Sequence, residues 1–421
     1  MARVRPFRGV RYDPKKVRDI TDVVAPPYDV ISPELQDELY RRSPFNVVRL
    51  ILGKELPGDD ESENKYTRAA RLWRRWLDEG ILLREERPCL YVLRDVFSTP
   101  EGERVVRLGI LAEVQLEPLG MGRVFPHERT FPRTKEDRLR LLRATKAQFN
   151  PIFAFYEESD GEVDGTIEAV HAEPPTVDFE EGGMRRTLWR ITEGPRTRRI
   201  SGLLADHPFF IADGHHRYET ALAYREERQR AGEGGDGHEY VFVYLVNLEA
   251  SGLVILPVHR IVRKAPVVGR EALQRLGEAF ELVPSGDLGR LREEVEQDGG
   301  FGLYEKGKLY RMKLRKRAED ALKDIPPLWR EVPVAVLQAL ALEEALGITS
   351  EMVRSGEYLA FTPDAKEAVR AVDQGEARMA FLVPSTRIEH VRRVAEAGEV
   401  MPHKATYFYP KLPSGLVMRE V

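Results

Sequence analysis

The amino-acid sequence predicts a mixed α/β fold, and three observations carry that prediction. Short apolar runs alternate with amphipathic helical stretches, hairpin turns interrupt the alternation, and 421 residues exceed what one core comfortably serves. Alternation alone would suggest a doubly wound parallel sheet; the hairpins make it a mixed α+β arrangement. Two domains follow, 1–265 and 266–421, because the pattern restarts between Val262 and Arg270.

The elements follow in order. Ser32-Pro33-Glu34 opens a helix with a hydroxyl cap, a proline in the first turn and an early acid. Asn46 to Leu52 reads as a strand, and Tyr66 to Glu79, with Leu72, Trp73, Trp76 and Leu77 on one face, as a helix ending at Gly80. Strands at Leu90–Phe97 and Val105–Leu116 flank the turn at Pro100-Glu101-Gly102 and form a hairpin. A helix capped by Thr134 runs toward Lys146, and a buried strand at Pro208–Ala212 leads into a helix that continues through Tyr224. Strands at Tyr240–Leu248 and Leu253–Pro257 close the first half. The second half holds a helix at Glu271–Phe280, a hairpin around Lys306-Gly307, a long apolar helix from Val334 to Leu346 and a strand at Ala377–Val383. A last helix is capped by Thr386 with Glu389 and closed by Gly398.

Composition narrows the function classes. The 65 basic and 69 acidic residues give a formal charge of −4, which argues against nucleic acid as the default partner. No apolar stretch approaches the ~18 residues needed to span a bilayer, and a single cysteine leaves no internal disulfide and no cysteine-based zinc site. A cytoplasmic protein without a membrane partner is expected.

The most informative segment is Asp213-Gly214-His215-His216-Arg217, at a strand-to-helix junction. A helix starting there points its unpaired amides and its positive dipole end at whatever sits above the strand, and an anion is the natural occupant. The plain structural alternative makes Asp213 an N-cap and leaves the other side chains to internal hydrogen bonds. Capping does not explain two histidines and an arginine in a first turn, where the dipole disfavours cations unless an anion compensates.

These residues also carry a resemblance. Gly214-His215-His216-Arg217 is similar to the Gly-Cys-His-Arg loop of sulfiredoxin and the Gly-Glu-Arg-Arg box of ParB proteins, and the archaeal free-serine kinases carry Asp-Gly-His-His-Arg. Ala25-Pro26-Pro27-Tyr28-Asp29-Val30-Ile31-Ser32, Pro126-His127-Glu128-Arg129-Thr130, Leu256-Pro257-Val258-His259-Arg260 and Met401-Pro402-His403-Lys404-Ala405-Thr406-Tyr407-Phe408 resemble, in order, blocks of the domain-of-unknown-function family numbered 1015. The resemblance implies a ParB/sulfiredoxin-like nucleotide-binding core followed by a C-terminal α/β region. One departure excludes sulfiredoxin chemistry: its loop needs a nucleophilic cysteine where His215 stands, and Cys89 lies in an apolar strand.

The resemblance implies a nucleotide-dependent kinase for a small hydroxyl-bearing metabolite, using Mg²⁺ and ATP or ADP. Asp213, Gly214, His215, His216 and Arg217 would hold phosphates, with His216 and Arg217 neutralising the transferring oxygens and Asp213 holding the metal. Asp29 and Glu128 are rival bases for the substrate hydroxyl; Tyr28, His127, Arg260 and Lys404 are candidate substrate contacts. For Tyr28-Asp29 the plain reading is a prolyl turn. Residues 130–146 add cations: a helical wheel puts Lys135, Arg138, Leu139, Leu142 and Lys146 in one sector, opposite Glu136, Arg140 and Arg143. Either Lys135 and Arg138 border a polyanion site, or they snorkel at the rim of the core. The alternative function is a ParB-type nucleotide-binding regulatory module, but no basic helix-turn-helix is visible between Glu271 and Val421.

A decoy completes the reading. Gly302-Leu303-Tyr304-Glu305-Lys306-Gly307-Lys308 matches the first seven positions of a P-loop, yet Leu309 replaces the Ser/Thr, and the flanking alternation makes it a hairpin.

Overall fold

The hairpin expected around Pro100-Glu101-Gly102 forms the middle of the largest sheet. Cys89–Ser98 and Arg104–Gln115 pair antiparallel through eight residue pairs, from Tyr91↔Leu111 to Ser98↔Arg104. The computed structural model describes residues 3–250, 252–319 and 321–421, and they divide into two compact units.

The first unit comprises residues 1–126, 130–254 and 410–421. Its nine-stranded sheet runs Val124–Phe125, Phe209–Asp213, Ile152–Tyr156, Tyr240–Asn247, Arg104–Gln115, Cys89–Ser98, Met184–Thr192 and Val177–Glu181, with Val4–Arg5 added beside Arg104–Gln115. Phe209–Asp213 is parallel to Val124–Phe125, and Ile152–Tyr156 is parallel to Tyr240–Asn247, while the remaining pairs are antiparallel. The sheet is therefore mixed, as its sequence pattern predicts. Alternate residues such as Ile110, Ala112, Ile152, Ala154, Ile211, Val243 and Leu245 fill one core, and Trp73, Trp76, Phe149 and Val47 fill a second.

The segment 410–421 is bound to this unit along its length. Val10 and Met418 exchange both backbone hydrogen bonds, as do Ala25 and Ser414, and Arg419–Glu420 pairs with Ala147–Gln148. Side chains reinforce the tie: the fully buried Arg107 donates to Pro410 O at 2.9 Å and, through Nε and Nη2, to Asp95, while Arg419 reaches Glu113 at 2.5 Å.

The second unit comprises residues 127–129 and 255–409. Its antiparallel sheet runs Phe280–Ser285, Lys308–Leu314, Phe301–Glu305, Met379–Leu382, His259–Val262 and Leu359–Thr362. Leu291 and Val295 from the Leu288–Asp298 helix, and Ala365, Ala368 and Val372 from the Ala365–Asp373 helix, cover one face.

Several local expectations are corrected. Asn46–Leu52 contains the short helix Val48–Ile51, because the buried Asn46 side chain accepts from Val48 N–H and donates to Asp22 O and Val24 O, turning the chain. The helix expected to start at Thr134 starts at Pro132, since proline suits the first helical position. Thr386 does not cap Ile388–Glu396; its hydroxyl donates to Ala405 O at 2.7 Å. The apolar stretch Val334–Leu346 is α-helical over Pro333–Leu337 and continues as a π-helix over Gln338–Ala345. The P-loop look-alike is a hairpin whose turn residues, Lys306 and Gly307, both have positive φ.

No helix among the described residues is long and apolar enough to cross a membrane.

Candidate functional site

The strand Phe209–Asp213 is buried up to its last residue, and the helix His215–Arg230 begins two residues later. Gly214 makes the turn at φ 97°, a left-handed conformation that costs an L side chain about 1–2 kcal/mol. A Cβ there would also lie 2.8–3.0 Å from the Arg217 guanidinium, so glycine permits both the turn and the approach of Arg217. A β-bulge between Ile211 and Asp213 shifts the register against Ile152–Tyr156 and re-aims the Asp213 side chain.

Asp213 is not the helix cap, because Gly214 holds that position. Its carboxylate instead receives Arg217 Nη2 at 2.8 Å on one oxygen and Lys411 Nζ at 2.7 Å on the other. Arg217 also donates through Nη1 to Asn150 Oδ1 and Pro151 O. Asn150 is fixed in turn by bonds from Nδ2 to Leu412 O and Ser414 Oγ, each 3.1 Å. A strand end, a helix start and the 410–421 segment thus converge on one carboxylate. The first intrahelical bond is Tyr218 N–H to Gly214 O, so the amides of residues 215–217 precede the hydrogen-bonded ladder and carry the positive end of the dipole.

The two histidines differ. His215 is buried, whereas His216 is half-buried, stacks on Phe131 with ring centroids 5.9 Å apart and accepts the Phe131 N–H on Nε2 at 2.9 Å. An imidazole accepting at Nε2 is neutral with its proton on Nδ1.

The neighbouring cations are paired. Lys135 reaches Glu219 at 2.6 Å across the contact between the Pro132–Thr145 and His215–Arg230 helices. Arg138 is buried, donates to Ile51 O at 2.7 Å and pairs with Asp137. The Tyr28 ring lies 4.1 Å from the Arg138 guanidinium. Burial, together with Asp29 and Asp213, pushes the Tyr28 hydroxyl up to about 12 against the opposing pull of Arg138 and Arg217. Asp29, in the Tyr28–Val30 turn, is exposed. Tyr28, Arg138 and Arg217 line one cavity.

The remaining candidates gather in the second unit. Glu128 lies 3.0 Å from His403 Nδ1 and accepts from Lys404 N–H at 3.3 Å, and His127 Nε2 meets Thr406 Oγ1 at 3.0 Å. Lys404 has a φ of 55°, unusual for a side chain of its kind. Arg260 is fully buried and donates to Val258 O, His403 O and Lys404 O; its guanidinium lies 5.4 Å from the Phe361 ring. Burial and the cations Arg292 and Arg260 pull the adjacent His259 down to about 3, so it is neutral at physiological pH.

Sequence reasoning misses Lys411, Asn150 and His403. Lys411 and Asn150 sit in irregular segments with no periodicity, and Lys411 lies 198 positions from its partner. The only local sign is the Pro410-Lys411-Leu412-Pro413 bracket, which stiffens the segment without stating what it faces.

Among the described residues no group of three or more His, Cys, Asp or Glu side chains forms a metal cluster. Each Asp213 oxygen accepts from a cation, so a metal ion at this carboxylate would share it with Lys411 and Arg217.

A family model described as "Protein of unknown function (DUF1015)" matches residues 4–335. No curated relative matches the chain. Among solved structures, a conserved hypothetical protein from Pyrococcus furiosus is 15% identical, with 71% of this chain and 91% of that one covered at a TM-score of 0.36. A free serine kinase in complex with AMP is 14% identical, covering 73% of this chain and 97% of its own at 0.38. A mutant free serine kinase in complex with ADP is 14% identical, covering 77% and 94% at 0.39. Superpositions this loose carry no functional argument.

Proposed function

The chain belongs to the DUF1015 family, and from that premise we propose that it is a nucleotide-dependent phosphotransferase acting on a small hydroxyl-bearing metabolite. One observation carries the reading. At the start of the His215–Arg230 helix, Arg217 and Lys411 converge on the carboxylate of Asp213 beside the dipole's positive end. That arrangement suits an anion rather than a cation. The Asp-Gly-His-His-Arg box, with its likeness to the free-serine kinases, directs the reading toward phosphates.

Phosphoryl transfer asks the protein mainly for positioning and charge neutralisation. The amides of residues 215–217 would hold phosphate oxygens, and Arg217 and Lys411, oriented by Asp213, would neutralise the charge that develops during transfer. Mg²⁺, arriving with the nucleotide, would supply further neutralisation on the phosphates. Asp29 would accept the substrate hydroxyl's proton, being the rival base that lies in the same unit as the box. Glu128, His127, Arg260 and Lys404 lie in the second unit, where Lys404 links Glu128 and Arg260.

The test is incubation with Mg²⁺, ATP or ADP and pooled hydroxy metabolites, read as new phosphorylated masses. Asp29→Asn should lower kcat about 100-fold or more while nucleotide affinity persists. If nucleotide binds but is never consumed, the enzyme reading fails and a regulatory binding module takes its place.

A further inference from the structure

Tyr28, Arg138 and Arg217 line an open-mouthed cavity of about 70 Å³, with Leu141, Phe149 and Phe242 among its apolar lining. Thr220, one turn along the helix from Arg217, also lines it. Thr220 is 4% exposed and its hydroxyl has no hydrogen-bond partner. A buried hydroxyl left unpaired is costly, and a valine of the same shape would avoid the cost. The cavity therefore combines an apolar body, a buried hydroxyl without a partner and a guanidinium shared with the phosphate box.

From this we infer that the cavity binds the apolar body of the phosphoryl acceptor: a compact aromatic or branched group with one polar atom for the Thr220 hydroxyl. Its reacting hydroxyl would be directed toward Arg217. A nucleobase fits less well. Much of the lining's other polar capacity is engaged: Gln148 Oε1 accepts from Phe242 N–H and Arg419, Asn150 binds Arg217, Leu412 O and Ser414, and Arg138 holds Asp137 and Ile51 O. A purine edge brings several polar atoms, and most would be buried without partners. A body with a single polar atom leaves none unpaired. Assigning this ligand as the acceptor rests on the phosphotransferase reading; the existence of the pocket does not.

Phenol and toluene, similar in shape but differing in one polar atom, are the probes, titrated calorimetrically into the full chain without nucleotide. The wild type should bind phenol about tenfold more tightly than toluene. Thr220→Val should remove that preference while keeping toluene affinity. Thr220→Leu, filling the slot from a helix position that favours leucine, should exclude both probes, keep wild-type nucleotide affinity and lose turnover of the acceptor pool. Failure of the wild type to bind either probe, or wild-type phenol binding by a folded Thr220→Leu protein, overturns the pocket. Loss of nucleotide binding in Thr220→Leu overturns the acceptor assignment by placing a base in the slot. If the probe pattern holds but no nucleotide is consumed, the pocket stands and the phosphotransferase reading falls alone.

Discussion

Two glycine-containing, cationic turns compete for the same reading in this chain, Asp213–Arg217 and Gly302–Lys308, and their surroundings are opposite. The first joins a buried strand to a helix, so its amides point along a helix axis. The second joins two antiparallel strands through Lys306 and Gly307, and those strands engage their amides in cross-strand pairing. Lys308 is exposed, whereas Arg217 and Lys411 each have side chains only 15% exposed and converge on one carboxylate. A phosphate motif is thus a statement about the element that follows the glycine. Letters at the right spacing are insufficient without an unladdered helix start and cations held from several directions.

The contrast can be broken most directly at Arg217. Arg217→Ala removes a charge-assisted contact of about 1.5–3 kcal/mol, so nucleotide affinity measured by calorimetry should fall roughly 10- to 150-fold. Because Arg217 also ties Asn150 and Pro151, its melting temperature should drop as well.

A second measurement sharpens the electrostatic side. Burial alone would raise the Asp137 carboxyl, but Arg138, Tyr66 and Lys65 outweigh it and hold the group down to about 2. Its folded pKa therefore lies below its unfolded value, and the stabilisation, about 1–2 kcal/mol, is present above pH ~4 and lost as pH falls through about 2. Asp137→Asn should flatten that part of the stability profile in urea titrations at successive pH values. The same profile should be unchanged in Lys308→Ala.

Lys411→Met tests the cation supplied from the 410–421 segment. Its partly exposed pair contributes about 0.5–1 kcal/mol, so nucleotide affinity should fall roughly two- to fivefold, with Lys411→Arg retaining most of it. If affinity is unchanged and only the melting temperature falls, Lys411 is a tether and not part of the anion site. The smallest effect belongs to the decoy: Lys308→Ala should leave affinity unaltered and stability within about 0.5 kcal/mol. A Lys308→Ala protein that loses nucleotide while Arg217→Ala keeps it would reverse the comparison.

Much of this architecture is written locally. The Lys65–Asp78 helix, the Cys89–Gln115 hairpin and the Phe209–Arg230 strand-to-helix junction each follow from apolar period and turn residues, which act within a few positions. Asn46 escaped because a side chain bonding three backbone groups outweighs a short apolar run that reads equally as strand or helix. The box was legible in its own residues but its electrostatics were not. The Lys411 contact spans 198 positions, and the charge Asp213 experiences depends on that distant cation. Arg138 shows the same limit: the wheel placed it with Leu139 and Leu142, but Ile51 O, Asp137 and the Tyr28 ring decide what it does there.

The position of Lys411 in the chain also imposes an order in time. Synthesis delivers Asp213, Gly214 and Arg217 first, then the whole of 255–409 for the other unit, and only afterwards the lysine. Until then the contact of Asp213 with Lys411 cannot form, while its contact with Arg217, four positions along the chain, can. A ribosome-bound chain can therefore own the entire strand, turn and helix and still lack the second cation on Asp213. The full set of contacts on Asp213 is thus completed only after the 255–409 segment has been made.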